Sequence, residues 1–261
     1  MDMTRRYQKG RTSRKKLIGI VAACITVVTV ILVISLSGRG AVVTFPDPNL
    51  ETAIRQALNK PSGAIRVSEL AGLANLTASD SGIEDLSGLQ YCTNLTDLDL
   101  WHNQISDISP LGNLTKLTYL ELGDNGISDI SPLGNLTNLK YLYLYSNEIG
   151  DIISVANLTN LTSLSLQYNQ VNDISPLARL TNLIALDLWR NQISDISPLA
   201  NLTSLTYLYL QRNQISDISP LLDNEGFLWG AEVYLSGNPL SSDSIGMYIP
   251  QLQARGVTVS Y

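Results

Sequence analysis

Apolar residues recur along this chain with a period of 22. Leu95, Leu117, Leu139, Leu161, Leu183 and Leu205 open six successive copies of one phrase without insertion, and a degenerate copy starting at Leu73 makes seven. In the copy LTDLDLWHNQISDISPLGNLTK, residues 95–116, Leu98 and Leu100 are two apart, which predicts a short strand with both on its buried face. Asp97, Asp99 and Trp101 then occupy the opposite, solvent face. A fixed period of this length predicts a solenoid in which no copy buries its apolar side alone, so the outermost copies need covers.

The polar positions fill in the rest of each coil. Asn103, Asn125, Asn147, Asn169, Asn191, Asn213 and Asn238 follow the strands, where an amide can donate to and accept from backbone groups opened by a turn. An internal asparagine ladder is the expectation. Asp107-Ile108-Ser109-Pro110 offers a serine cap with proline at the first helical position, so a turn or two of helix or 3₁₀ should carry the chain back. In the third copy Ile153-Ser154 replaces Ser-Pro.

Both covers are visible. Asp47-Pro48 reads as helix cap and first helical residue, and Leu50, Ile54 and Leu58 recur at four-residue spacing until Lys60-Pro61 stops the helix. In the degenerate copy that follows, Ser81 stands at the ladder position and Cys92 at a core position. From Asp223 onward a last strand around Val233-Tyr234-Leu235, Asn238-Pro239-Leu240, a helix-like stretch to Gln253 and a final Val257-Thr258-Val259 form a mixed C-terminal cap.

The spacing L-x-x-L-x-L-x-x-N-x-I-x-D-I-x-x-L, in step at Leu95, Leu98, Leu100, Asn103, Ile105, Ile108 and Leu111, resembles the leucine-rich repeat family. The 22-residue length, the D-I-S-P-L signature and the cap opening PDPNLETAIRQAL are similar to its internalin-type bacterial branch, over roughly residues 44–261. The resemblance implies an α/β solenoid, a right-handed coil with a concave parallel β-sheet and short helical or 3₁₀ turns on its convex side. Neither an immunoglobulin-like extension nor a sortase signal is expected after Tyr261.

The N-terminus changes the picture. Residues 17–37, from Leu17 to Ser37, carry no charge and are rich in Ile, Val and Leu, long enough at about 1.5 Å per residue to span a core of about 30 Å. Seven basic residues precede them and only Arg39 follows closely, so the N-terminus is expected in the cytoplasm and the repeats outside. Cleavage as a signal peptide near Ser37, giving a secreted protein, is the alternative. Val21-Ala22-Ala23-Cys24 resembles a lipobox but has a short apolar lead, so Cys24 reads as a membrane cysteine whose lipidation is left open. The organisation is a basic tail 1–16, a membrane span 17–37, a linker 38–43, an N-terminal cap 44–72, repeats 73–222 and a C-terminal cap 223–261.

Charge and chemistry then narrow the function. Without the seven basic residues and Asp2 ahead of Leu17, 10 basic and 22 acidic residues remain, a net of −12 outside, which argues against nucleic acid. His102 is the only histidine and no catalytic triad, phosphate loop or metal spacing occurs, so neither an enzyme nor a cofactor is expected. Asn-Leu-Thr sequons recur because the repeat generates them. The third, fifth and seventh residues of the six full copies give 18 outward positions, eight of them aromatic, in a chain that is 7% aromatic overall. Strand propensity and stacking between rungs explain part of this, but all eight are Tyr or Trp and none is Phe, as on binding faces. The expected site is therefore a concave band of Trp101, Tyr119, Tyr141, Tyr143, Tyr145, Trp189, Tyr207, Tyr209 and Tyr234, with Glu121 and Asp187 beside it. A monomeric ectodomain binding a protein ligand, in preference to a polysaccharide, is the main expectation, and an envelope-spacing protein without a dedicated ligand is the alternative.

Overall fold

The computed structural model describes residues 40–261, which fall into two units. The smaller, residues 40–43 with Ala64–Ser68, is an antiparallel pair of β1 (Val42–Val43) and β2 (Ile65–Arg66), Val42 opposite Arg66. The expected basic tail, the membrane span 17–37, Cys24 and the cleavage point near Ser37 lie outside the described residues. Among the described residues no helix is long and apolar enough to cross a membrane.

The larger unit holds the repeats. Seven copies give the three-residue strands β3 (Asn75–Thr77), β4 (Asp97–Asp99), β5 (Tyr119–Glu121), β6 (Tyr141–Tyr143), β7 (Ser163–Ser165), β8 (Ala185–Asp187) and β9 (Tyr207–Tyr209). β10 (Glu232–Tyr234) and β11 (Thr258–Ser260) follow, and the nine strands pair in parallel in chain order. The register sets Leu98, Leu120, Leu142, Leu164, Leu186 and Leu208 in one row, all buried. Past each strand the chain turns through a left-handed residue, φ near +50 to +56° at Asp80, His102, Asp124, Ser146, Tyr168, Arg190 and Arg212. Each keeps its N–H on the next rung, as His102 does on the carbonyl of Gly123 at 3.0 Å.

The asparagine ladder forms, and it runs between copies. Asn147 Nδ2 donates to Leu144 O of its own copy at 3.1 Å and to Leu122 O of the preceding copy at 3.0 Å, while Oδ1 accepts from Ile127 N at 3.0 Å. Asn103, Asn125, Asn169, Asn191 and Asn213 repeat this pattern, and Asn238 closes it on Leu210 O and Ile215 N. Ser81 opens the series, and its hydroxyl turns back to Ser79 O.

The convex turns correct one expectation. The turn Ser109–Leu111 begins at the serine itself, so Ile108 stands at the cap position and the side chain that closes it comes from Asp107, whose Oδ1 accepts from Ser109 N at 2.8 Å. Asp129, Asp151, Asp173, Asp195 and Asp217 do the same at 2.8 Å. An aspartate two residues ahead makes an Asx turn, which the serine as first turn residue cannot. This explains why the third copy tolerates its departure. Asp151 still holds Ile153 N, and the change leaves Ile153 exposed and the buried Ser154 hydroxyl without a partner among the described residues.

The helix Pro48–Ala57 covers the degenerate copy, with Leu50, Ala53 and Ile54 buried. It stops before Lys60-Pro61 because Asn59 takes a left-handed φ of 49°. Asp47 clips it on: Oδ1 accepts from Asn49 N and Leu50 N, and Oδ2 from Glu84 N and Asp85 N of the degenerate copy. Burial raises this carboxyl's pKa, but the four backbone donors outweigh burial and hold it below the usual carboxylate value. At the other end the helix Ser219–Asp223 leads to Asn224, fully buried, which donates to Leu199 O and Leu202 O. The next turn runs so close that a Cβ on Gly226 would lie 1.9 Å from Thr203 O, so only glycine fits. Cys92 fills its core position, and burial pushes its thiol up to about 12.

Two outcomes follow. Asn147→Ala strands buried donors and acceptors on two copies, so urea unfolding should show a loss of about 2 kcal/mol or more, whereas an exposed change such as Gln170→Ala should stay within about 0.5 kcal/mol. Because the Asp47 pKa is lowered on folding, its contribution is full above about pH 4 and lost as pH falls through the lowered value. The stability gap between the wild type and Asp47→Asn should therefore close in acid, and a gap unchanged at pH 3 would contradict the clip.

Candidate ligand-binding face

Two side chains of every strand point away from the core, and the register aligns them into rows. One row runs Asp97, Tyr119, Tyr141, Ser163, Ala185, Tyr207 and Glu232; the other runs Asp99, Glu121, Tyr143, Ser165, Asp187, Tyr209 and Tyr234. A third set follows two residues beyond each strand, including Trp101, Gly123, Tyr145, Gln167, Trp189 and Gln211. All eleven residues expected from the sequence lie on this side of the sheet.

They do not form one band. Tyr119 packs against Tyr141 and Tyr143 with ring centroids 6.3 and 5.7 Å apart, which with Tyr145 makes one bank. Tyr209 stacks on Tyr234 at 4.9 Å and 7°, and with Tyr207 and Trp189 makes a second. Between them Ser163, Ser165 and Ala185 leave the sheet low, so Tyr143 and Tyr209 stand three rungs apart, about 14 Å. Trp101 stands apart beside His102. Sequence reasoning missed Tyr168, which belongs to no strand but meets Trp189 edge-on at 4.7 Å and carries the Arg190 guanidinium 4.9 Å over its ring. It also passed over the small residues, although they occupy the third and fifth positions of their copies.

The acids beside the band differ in their surroundings from the solvent-facing position that the strand alternation gives them. Glu121 is only 9% exposed. Burial pushes its carboxyl up to about 7, assisted by the negative Asp99 and opposed by one bond from Gly123 N at 2.7 Å. Its neighbour Tyr145 explains the burial. A Cβ on Gly123 would sit 2.4 Å from the Tyr145 ring, so glycine at a position that holds Trp, Tyr or Gln in the other full copies lets that ring lie flat beside Glu121. The phenol is itself raised to about 12, by burial and then by the charges of Glu121 and Asp99. Across the gap the Asp187 carboxyl is also raised by burial, with Oδ1 accepting from Trp189 N at 3.0 Å. Among the described residues neither carboxylate forms an ion pair.

The gap is a depression of about 360 Å³ lined by Glu121, Tyr143, Tyr145, Ser163, Ser165, Gln167, Ala185, Asp187 and Tyr209. Such a surface can grip by stacking, by hydrogen bonds to tyrosine and serine hydroxyls, and by charge. Among the described residues no group of three or more His, Cys, Asp or Glu is placed to hold a metal ion.

Comparison with known proteins gives a consistent picture. The family model described as leucine-rich repeats (two copies) matches residues 72–113, 115–158, 137–179, 159–201 and 181–223. Internalin C of Listeria monocytogenes serotype 1/2a (strain EGD / Mackaness) is 45% identical over 60 residues, 22% of this chain and 20% of that protein's length. The crystal structure of internalin C2 from L. monocytogenes str. 4b F2365 matches with a TM-score of 0.74 at 41% identity, covering 83% of this chain and 94% of that one. The ectodomain of the plant membrane receptor kinase GASSHO1/SCHENGEN3 from Arabidopsis thaliana, solved in complex with CASPARIAN STRIP INTEGRITY FACTOR 2, shares the fold with a TM-score of 0.61 at 24% identity, covering 75% of this chain and 25% of that one. With most of its length matched by the repeat model and nearly all of internalin C2 covered at this identity, the chain belongs to the internalin-type leucine-rich repeat proteins.

Proposed function

We propose that this protein is an extracytoplasmic binding module that recognises a protein ligand through the tyrosine-bearing side of its sheet. One observation carries the reading. The face presents half-exposed tyrosines in two banks around a depression whose two carboxylates lack counter-charges among the described residues. Tyr and Trp supply area with a polar handle, and unpaired acids favour a protein with basic side chains over a neutral glycan. The spacer alternative accounts for neither the desolvated acids nor the glycine that shapes their surroundings. In this reading residues 17–37 anchor the chain in a bacterial membrane with the repeats outside, as a monomer, and release after cleavage near Ser37 is the alternative.

Binding and topology are tested separately. A ligand captured by the wild-type chain should lose about 30-fold or more in affinity on Tyr143→Ala or Tyr209→Ala, roughly 2 kcal/mol each, while thermal unfolding changes by about 1 kcal/mol. Its affinity should also fall between low and physiological salt. A ligand indifferent to both tyrosines and sensitive to changes at the convex turns would place the function elsewhere. For topology, external protease added to intact spheroplasts should digest residues 40–261 of a membrane-bound protein. Recovery of a soluble form beginning near residue 38 would replace the anchor with a cleaved leader.

A further inference from the structure

The row Glu121, Tyr143, Ser165, Asp187, Tyr209 alternates acid and ring across a gap. Glu121 is nine-tenths buried and lines the depression, yet it receives a single hydrogen bond, from Gly123 N to Oε1. Oε2 accepts none among the described residues, and Asp187, which is only part-buried, likewise has Oδ1 engaged by Trp189 N and no bond to Oδ2 among the described residues. A largely desolvated carboxylate without a counter-charge is costly, and a ligand cation that supplies the missing charge regains that free energy. The walls favour a flat cation: Tyr143 and Tyr145 flank Glu121, and Tyr209 follows Asp187 in the row. A guanidinium can stack on such a ring while donating to a carboxylate oxygen, which an ammonium does less well.

Geometry sets the spacing. Glu121 and Asp187 stand three rungs apart in one row, about 14 Å, and between them lie the Tyr143 ring on the next strand and then the small side chains Ser163 and Ser165, with Ala185 beside Asp187. An extended peptide rises about 3.3 Å per residue and returns a side chain to the same face every second residue, so positions i and i+4 lie about 13 Å apart on one face. Resting on the reading of this face as a protein-binding surface, we infer that it receives an extended partner segment with two arginines four residues apart, running across the strands, one guanidinium at Glu121 and the other at Asp187.

The test uses the full-length chain and blocked synthetic peptides measured by calorimetry: Arg-Thr-Val-Thr-Arg, a same-length peptide with the arginines two apart, and versions with neutral citrulline. The four-residue spacing should bind at least tenfold more tightly than the two-residue spacing and the citrulline forms. Glu121→Gln and Asp187→Asn should each abolish that preference, whereas Glu225→Gln, an exposed acid in the C-terminal cap, should leave it intact. Facing Glu121 are Asp99 of β4, Tyr119 of its own strand, and Tyr143 and Tyr145 of the next copy, and its proton must leave before the arginine pairs. Affinity should therefore rise between pH 6 and 8 in the wild type and stay flat in Glu121→Gln. Equal affinity for both spacings, no detectable binding by any peptide, or full binding by the two carboxylate variants would overturn the inference. If a protein ligand still depended on Tyr143 and Tyr209 in that case, the face would remain the binding surface with a different chemistry; independence from both tyrosines would remove the surface as well.

Discussion

No copy of this repeat satisfies its own backbone. Each ladder asparagine after Asn103 donates within its own copy and reaches back to a carbonyl and an N–H of the one before, so the polar interior is complete only when copies stack. The buried leucines alone would permit sliding, since leucine packs tolerably against leucine in more than one register. Hydrogen bonds at 2.9 to 3.1 Å do not, because a buried amide out of register loses several partners at once. The straight rows on the sheet face are a by-product of this locking.

That locking frees the other face. Residues 97, 99 and 101 and their equivalents contribute nothing to the ladder through their side chains, so they range from aspartate to tyrosine to serine without disturbing the strands. The exceptions mark investment in something besides folding. Gly123 yields its place so that Tyr145 can lie down, and Glu121 is held at the edge of ionisation beside it. A copy selected only for stability has no reason to bury an unpaired acid.

Much of this was legible in the amino-acid order because the dominant forces act at fixed spacing. Leu98 and Leu100 betray a strand, Asn103 a ladder and Asp47-Pro48 a helix start, since each depends on chemistry within a few residues. The capping role of Asp107 was misassigned to Ser109 because the two sit two residues apart and both are good caps; the backbone conformation at Ile108 decides between them. The division of the aromatic band was written in Ser163, Ser165 and Ala185, but its meaning needed the parallel register that sets them between Tyr143 and Tyr209. The burial of Glu121 was not legible, because it arises from a ring 24 residues along the chain folding over a glycine.

The left-handed residues after each strand carry a consequence of their own. They form a file along one rim of the stacked copies, with Asp80 and Asp124 near its beginning, His102 between them, and Arg190 and Arg212 near its end. Position in that file is set by copy number, so charge changes sign along the rim while the backbone conformation stays constant. That rim is thus electrically polar along its length, and a charged body coming close to it meets attraction at one end and repulsion at the other.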